Sequence, residues 1–199
     1  MEAITRIWLI RHGEPCSECR GRCYGQLDIE LSPEGRRQLR AVASELSEEP
    51  ICAIYSSPRR RALESASILA AQVHCSVTAE EKFREINFGD LEGKFYEDIA
   101  QEYPEIYRQW MESPTETQFP NGESFVQMQA RVVDVAHELY SRHRGETIAI
   151  ISHGGVNRIL LAAALGVSNA NIFRIAQRYA ARNLLTLIGE YPSVELMNA

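Results

Sequence analysis

Two stretches constrain the fold of this chain more than any others. Ile4–Ile10 and Thr147–Ile151 are compact, β-branched, largely apolar runs, and each stops abruptly on polar residues and glycine. The first ends in Arg11-His12-Gly13 and the second in Ser152-His153-Gly154-Gly155. Runs that are apolar on successive rather than alternate residues suit strands buried on both faces, as in a parallel sheet covered by helices. A third short run, Ile51–Tyr55, leads through Ser56-Ser57-Pro58 into a helical pattern. In such sheets ligands bind beyond the carboxyl ends of the strands, so the three polar segments are expected to converge.

Helical patterns fill the intervals. Ser32 as N-cap with Pro33 at the first helical position opens a helix to about Leu46. Further helices are expected over Arg60–Val73, Glu123–Arg142 and Val156–Leu165, with two short pieces at Tyr96–Tyr103 and Glu105–Met111 separated by Pro104. Weaker strand patterns cover Cys75–Thr78, Leu184–Ile188 and Val194–Met197, while Pro15–Leu31 and Lys82–Gly93 read as loops. The alternation predicts one three-layer α/β/α sandwich over residues 1–199 with a mostly parallel central sheet, carrying a helical and loop insertion at about 94–122. The 199 residues are enough for a sizeable core without staples.

With 21 Lys+Arg against 27 Asp+Glu the formal charge is −6, and no basic run or arm is present. That argues against nucleic acid and against a membrane surface as partners. The longest uncharged apolar stretch, Ile159–Leu165, is far short of the roughly 20 residues that span a bilayer. The start of the chain has too short an apolar segment for a signal-peptide core, so a cytoplasmic location is expected. The five cysteines are an odd count that argues against a disulfide framework. Cys16, Cys19 and Cys23 are spaced C-x2-C-x3-C, but no second C-x-x-C pair supplies a closed metal site, and reduced loop thiols are expected.

The strand-end segments carry the chemistry. Each histidine alone would more often be a structural residue. Arg59, Arg60 and Arg61 at a helix start would ordinarily be a solvated face, slightly unfavourable against the positive helix N-terminus. That cost is tolerable where an anion binds both the cations and the free backbone N–H groups. Gly13 and the Gly154-Gly155 pair remove side chains where a ligand must approach backbone. A phosphoryl group suits this set. Neutral imidazole is a competent nucleophile toward phosphorus, guanidinium forks match phosphate, and the cations remove the need for a metal ion or other cofactor. The remaining requirement is a carboxyl group to protonate the leaving alkoxide.

The chain resembles the histidine phosphatase superfamily, which includes the cofactor-dependent phosphoglycerate mutases. The resemblance rests on LIRHGE at Leu9–Glu14, YGQLDIELSPEG at Tyr24–Gly35, SSPRRRALESA at Ser56–Ala66, REINFGDLEG at Arg84–Gly93, FPNGESF at Phe119–Phe125 and ISHGGV at Ile151–Val156. These blocks lie in the family's order and cover nearly the whole chain. The resemblance implies a phosphoglycerate mutase-like fold, His12 as the phosphorylated nucleophile, Arg11 and Arg61 as phosphate-binding arginines and His153 as a second pocket histidine. It implies Glu85 as general acid and then base, and Tyr24, Gly25 and Gly154 as residues bordering the phosphate. Glu92 is expected to cap or pair within its loop, and Glu14 to orient the loop or meet solvent. Family members often carry Asn or a similar polar residue shortly after the nucleophile. Here Pro15–Cys23 replaces it, leaving Ser17 or Arg22 as candidates for that contact.

A metal-independent phosphomonoesterase acting on a small phosphorylated metabolite is therefore expected. The length and the sequence after the acid favour it over a phosphoglycerate mutase. The run from FGDLEG to FPNGESF resembles the α-ribazole-5′-phosphate phosphatases of cobalamin nucleotide-loop assembly. A cysteine-based metal or iron–sulfur binding module is the alternative from another class, and self-association into a homodimer is left open.

Overall fold

The computed structural model describes residues 3–199. Strand β1 (Ile4–Arg11) is followed by α1 (Pro33–Glu45), β2 (Ile51–Ser56), α2 (Arg60–Val73), β3 (Val77–Ala79), α3 (Tyr96–Glu102) and α4 (Pro104–Glu112). The chain continues through α5 (Phe125–Arg142), β4 (Thr147–Ser152), α6 (Gly154–Leu165), β5 (Arg182–Ile188) and β6 (Tyr191–Leu196). The six strands form one sheet in the order β3-β2-β4-β1-β5-β6. The β3–β2, β2–β4 and β4–β1 pairs are parallel, and β5 and β6 extend the sheet antiparallel beyond β1. The mostly parallel sandwich is thus present, with an antiparallel edge.

Alternation along the strands divides the core into two layers. Ile7 and Leu9 of β1, Ile148 and Ile150 of β4, and Leu185 and Leu187 of β5 pack against Val132, Val135 and Leu139 of α5 and Ile159 of α6. Trp8, Ile10, Ile54, Ala149 and Ile151 face the other way, onto Leu39 and Val42 of α1 and Ala62, Ala66 and Leu69 of α2. The central strands are buried on both faces because both are covered, which is why their sequences are apolar without alternation. Among the described residues, no helix is long and apolar enough to cross a membrane.

Several element boundaries differ from the sequence expectation. α5 begins at Phe125 rather than Glu123, because Ser124 caps it in a reciprocal box with Gln127. α6 begins at Gly154 rather than Val156, with His153 as its N-cap, so both glycines lie in the first turn. β3 is Val77–Ala79 rather than Cys75–Thr78, and β6 starts earlier, at Tyr191. The two expected loops contain 3-10 turns at Ser17–Cys19, Glu81–Phe83 and Gly89–Leu91.

The turn after β1 is fixed by a backbone-to-backbone approach. A Cβ at Gly35, in the first turn of α1, would fall inside contact distance of the Glu14 carbonyl, and a Cβ at Gly13 would strike the Gly35 carbonyl. α1 can lie this close to the turn holding His12 only because both positions lack side chains. Gly35→Ala is expected to cost about 1–3 kcal/mol of stability through overpacking; an unchanged urea midpoint would show that the contact is soft.

Candidate active site

His12 follows the last residue of β1 and is held by backbone on both sides. Its N–H donates to the Ser152 carbonyl of β4, and its own carbonyl accepts from Ala180 N–H, at 2.9 and 3.0 Å. The ring is buried, and its Nδ1 lies 2.7 Å from the Gly13 carbonyl oxygen. A carbonyl can only accept, so Nδ1 carries the proton and the lone pair of the neutral ring resides on Nε2. Burial first, and then the Arg61 and Arg11 charges, hold the His12 pKa well below the ordinary imidazole value. The ring therefore remains neutral at neutral pH, with its Nε2 lone pair facing Arg61.

Arg61, in the first turn of α2, has no solvent exposure. Its Nε donates to His12 Nε2 at 3.3 Å, one terminal nitrogen to the Leu27 carbonyl at 2.7 Å, and the other to the Gly25 carbonyl at 2.5 Å. Three of its five N–H donors are thus used, and one on each terminal nitrogen remains. Arg11 donates one N–H to the Gln177 carbonyl at 2.6 Å and stacks over the Tyr179 ring at 4.2 Å from its centroid. His153 lies edge-on to His12, with ring centroids 5.2 Å apart, and its Nε2 is 2.7 Å from Ser57 Oγ. Burial, followed by the charge of Arg61, also lowers the His153 pKa well below the usual value. Arg11 Nε and His153 Nδ1 are buried and have no protein partner. Such atoms cost about 1–3 kcal/mol each when unsatisfied, a cost that an anion accepting from them would offset.

Glu85 reaches the same place from the 82–93 loop. One carboxylate oxygen accepts from Gly155 N–H in the first turn of α6 at 3.0 Å, and the other from its neighbour Ile86 N–H at 3.0 Å. Each oxygen keeps a further lone pair for a proton or a water molecule. The loop is clamped from behind by Arg131 of α5, which donates to the carbonyls of Lys82, Arg84 and Glu85 and binds Glu123 through two nitrogens. Burial pushes the Glu123 carboxyl up, but the Arg131 bonds and Asn87 N–H outweigh it and hold the pKa below the usual carboxylate range. Glu92 caps the adjoining turns, accepting from Gly25, Gln26 and Phe88 N–H groups. Glu14 stays in its loop, near the Ser32 hydroxyl at 3.5 Å.

His12 borders a cavity of about 250 Å³. Arg11, His12, Tyr24, Arg61 and Glu85 line its polar end, and Phe88, Tyr96, Trp110 and Phe119 form an aromatic wall. Gly25, Gly154 and the fully buried His153 do not line it. The Gly25 N–H is engaged by Glu92 and its carbonyl by Arg61, so Gly25 shapes the loop rather than offering a donor. Gly154 lies against Arg158, whose terminal nitrogen a Cβ there would meet at 3.1 Å. Ser17 and Arg22 also stay outside, Arg22 being bound to the Gly93 carbonyl and stacked over Phe95. The C-x2-C-x3-C cysteines do not form a ligand set. Among the described residues, the one group of metal-capable side chains whose atoms converge is Cys52, His143 and Glu146.

Sequence reasoning missed four features. Ser57 partners His153 and follows β2 directly, in a segment already flagged for its position. Arg158 lines the cavity one helical turn after Gly154, a spacing that the i, i+4 rule could have found. Tyr179 bonds Tyr24 through their hydroxyls at 2.8 Å, and nothing local marks it. A buried amide network joins Asn157, Gln177 and Asn183 and anchors the Gln177 carbonyl that receives Arg11.

Comparison with known proteins follows the same lines. The family model of the histidine phosphatase superfamily (branch 1) matches residues 7–199. The chain is 35% identical over 164 residues to phosphoserine phosphatase 1 of Hydrogenobacter thermophilus, covering 82% of this chain and 78% of that protein. It is 33% identical over 170 residues to the metal-independent phosphoserine phosphatase of Arabidopsis thaliana, covering 84% and 71%. Among solved structures, mycobacterial glucosyl-3-phosphoglycerate phosphatase matches with a TM-score of 0.88 at 28% identity, over 98% of this chain and 99% of that one. The α-ribazole phosphatase from Shigella flexneri matches with a TM-score of 0.90 at 25% identity, over 98% and 96%.

The two neutral histidines make stability depend on pH. Unfolded, each takes up a proton below about pH 6.5, whereas the folded protein excludes it. Their contribution is present above that pH and is lost as pH falls through it. Each is expected to remove on the order of 1 kcal/mol between pH 7.5 and 5.5. Urea unfolding of His153→Asn should show a shallower loss than wild type over that interval; an equal loss would contradict the assignment.

Proposed function

The chain belongs to the histidine phosphatase superfamily (branch 1) and is a phosphoric monoester hydrolase, and we propose that it works through a phosphohistidine at His12 without a metal ion. The observation that carries this proposal is a buried, neutral imidazole whose Nε2 lone pair faces a buried arginine. His12 Nε2 attacks phosphorus and the P–O bond to the substrate breaks. Arg11, Arg61 and His153 donate to the phosphoryl oxygens, supplying the charge stabilisation that otherwise falls to a metal. Glu85 gives its proton to the leaving alkoxide and then, as carboxylate, takes one from the water that cleaves the N–P bond. Phosphate and neutral His12 are regenerated.

The substrate is a small phosphomonoester whose organic part packs on the wall of Phe88, Trp110 and Phe119. α-Ribazole 5′-phosphate is such a molecule, and the aromatic lining supports it. A carboxylate-bearing phosphomonoester such as phosphoserine is a second candidate, supported by Arg158. That guanidinium lines the cavity near Arg11, with its Nε bound to the Ile175 carbonyl at 2.9 Å and its terminal nitrogens free of hydrogen bonds to the described residues. Residues 1–199 act as one domain in which the insertion at about 94–122 supplies Tyr96, Trp110 and Phe119 to the substrate side.

Turnover of a panel containing α-ribazole phosphate, phosphoserine, 3-phosphoglycerate and sugar phosphates, scored for free phosphate against isomer, identifies the substrate. Isomer from 3-phosphoglycerate would overturn the hydrolase in favour of a mutase. His12→Ala is expected to abolish turnover, and substantial residual activity would refute the nucleophile. Glu85→Gln is expected to slow phosphoenzyme formation from alkyl phosphates by about 10²–10⁴-fold and from p-nitrophenyl phosphate much less, as read in single-turnover mixing. Equal losses would count against an acid role. Chelator is expected to leave turnover unchanged.

A further inference from the structure

At the opposite end of the sheet, three side chains of different chemistry meet around one point. Cys52 lies near the start of β2, His143 is the C-cap of α5, and Glu146 is the last residue before β4. Cys52 Sγ is 3.2 Å from a Glu146 carboxylate oxygen and 4.0 Å from His143 Nδ1, and that nitrogen is 2.7 Å from the same oxygen.

The fold aims these groups deliberately. In the β2–β4 ladder Ile51 pairs with Thr147 and Ala53 with Ile148, so Cys52 is the extra residue of a β-bulge. The consequence is visible in the core, where Ile51 and Ile54, three residues apart, share one face. A bulge re-aims a side chain, and this one leaves Cys52 exposed at the corner beside α5. His143 is oriented from behind by Tyr55, whose hydroxyl is 2.8 Å from Nε2. Its Nδ1 therefore points outward, toward the thiol and the carboxylate. The turn carrying Glu146 is closed by its own N–H to the His143 carbonyl at 3.0 Å and by Gly145 at φ +83°.

The structure assigns a surface zinc site to Cys52, His143 and Glu146, with the thiolate sulfur, Nδ1 and one carboxylate oxygen as ligands and solvent in the fourth position. A tetrahedral zinc ion with bonds of about 2.3 Å to sulfur and about 2.0 Å to nitrogen and oxygen needs its ligand atoms roughly 3.3–3.6 Å apart. The Nδ1–oxygen pair has to open by about 0.6 Å and the sulfur–Nδ1 pair to close by about 0.5 Å, small movements of the exposed Glu146 and Cys52 side chains. Thiolate and carboxylate together balance the ion's charge, and the sulfur–nitrogen–oxygen set suits zinc and disfavours magnesium or calcium. On binding, the Cys52 proton passes to solvent. The His143 proton moves to Nε2, which then donates to Tyr55 oxygen as a supporting contact of the kind metal-bound imidazoles use. The site is about 16 Å along β2 from Ser57, so the ion would tie the end of α5 to β2 and β4 without entering the phosphatase chemistry.

The test uses the full chain, stripped with chelator and titrated with Zn2+ and, for its spectrum, Co2+. One equivalent of Zn2+ is expected to bind with micromolar or tighter affinity and to raise the unfolding temperature. The Co2+ form should show a thiolate-to-metal charge-transfer band. Cys52→Ser is expected to remove the band and weaken Zn2+ binding at least tenfold, with phosphatase turnover unchanged. Glu146→Gln, an exposed substitution that leaves the bulge intact, should weaken binding at least threefold, and it decides the matter if Cys52→Ser fails to fold. Absence of stoichiometric binding, a band that survives Cys52→Ser, or affinity unchanged in Glu146→Gln would overturn the site.

Discussion

A guanidinium with no solvent exposure must be held by protein or ligand, and Arg61 is such a group, with three of its N–H donors bound to protein. Two of its three hydrogen bonds go to backbone carbonyls of the loop after β1, Gly25 and Leu27, so the path of that loop follows from the cation it wraps. Glu92 holds the same loop from its N–H side. The third bond reaches His12, which links the first turn of α2 to the end of β1. Burial lowers the Arg61 pKa, but a guanidinium starts so high that it stays charged. That fixed charge in turn helps to keep both histidines neutral. One buried cation thus sets the loop geometry and the protonation state on which the chemistry depends.

Much of this was legible in the residue order. The doubly buried strands announced themselves by uninterrupted apolar runs, and the segments after β1, β2 and β4 converge as the parallel topology requires. The Ser32-Pro33 helix start was readable because it is local chemistry, as its Ser32 bond to Gly35 N–H shows. Legibility failed where the deciding partner lies far along the chain. Tyr179 meets Tyr24 across 155 positions and Gln177 meets Arg11 across 166, with no periodicity to mark either. The glycines misled for a related reason. Gly154-Gly155 suggested a loop preceding the helix, yet they are the helix's first turn, and their small size serves Arg158 and Glu85 rather than a bare backbone cradle.

The overall charge of −6 describes the outer surface and says little about the cavity. There Arg11, Arg61 and Arg158 face a single nearby carboxylate, Glu85, so the local sign is reversed where an anionic substrate has to enter. The aromatic wall supplied by the middle of the chain encloses the remainder of the cavity with apolar surface, a division that suits phosphate at one end and an organic group at the other. The proposed chemistry lies at the carboxyl ends of the strands. The opposite ends, with Cys52, His143 and Glu146, are free to carry a separate structural role.

The central claim is that phosphate passes through His12 Nε2, and the most direct measurement is to trap it there. Glu85→Gln mixed with p-nitrophenyl phosphate and quenched in alkali should accumulate the phosphoenzyme, because the good leaving group spares the first step while the water-activating carboxylate is missing. Peptide mass spectrometry is expected to find close to one phosphate per chain on the peptide containing His12, stable to alkali and lost in acid. Phosphate carried by Ser57 or another residue, or turnover with no phosphate retained on the chain, would contradict it.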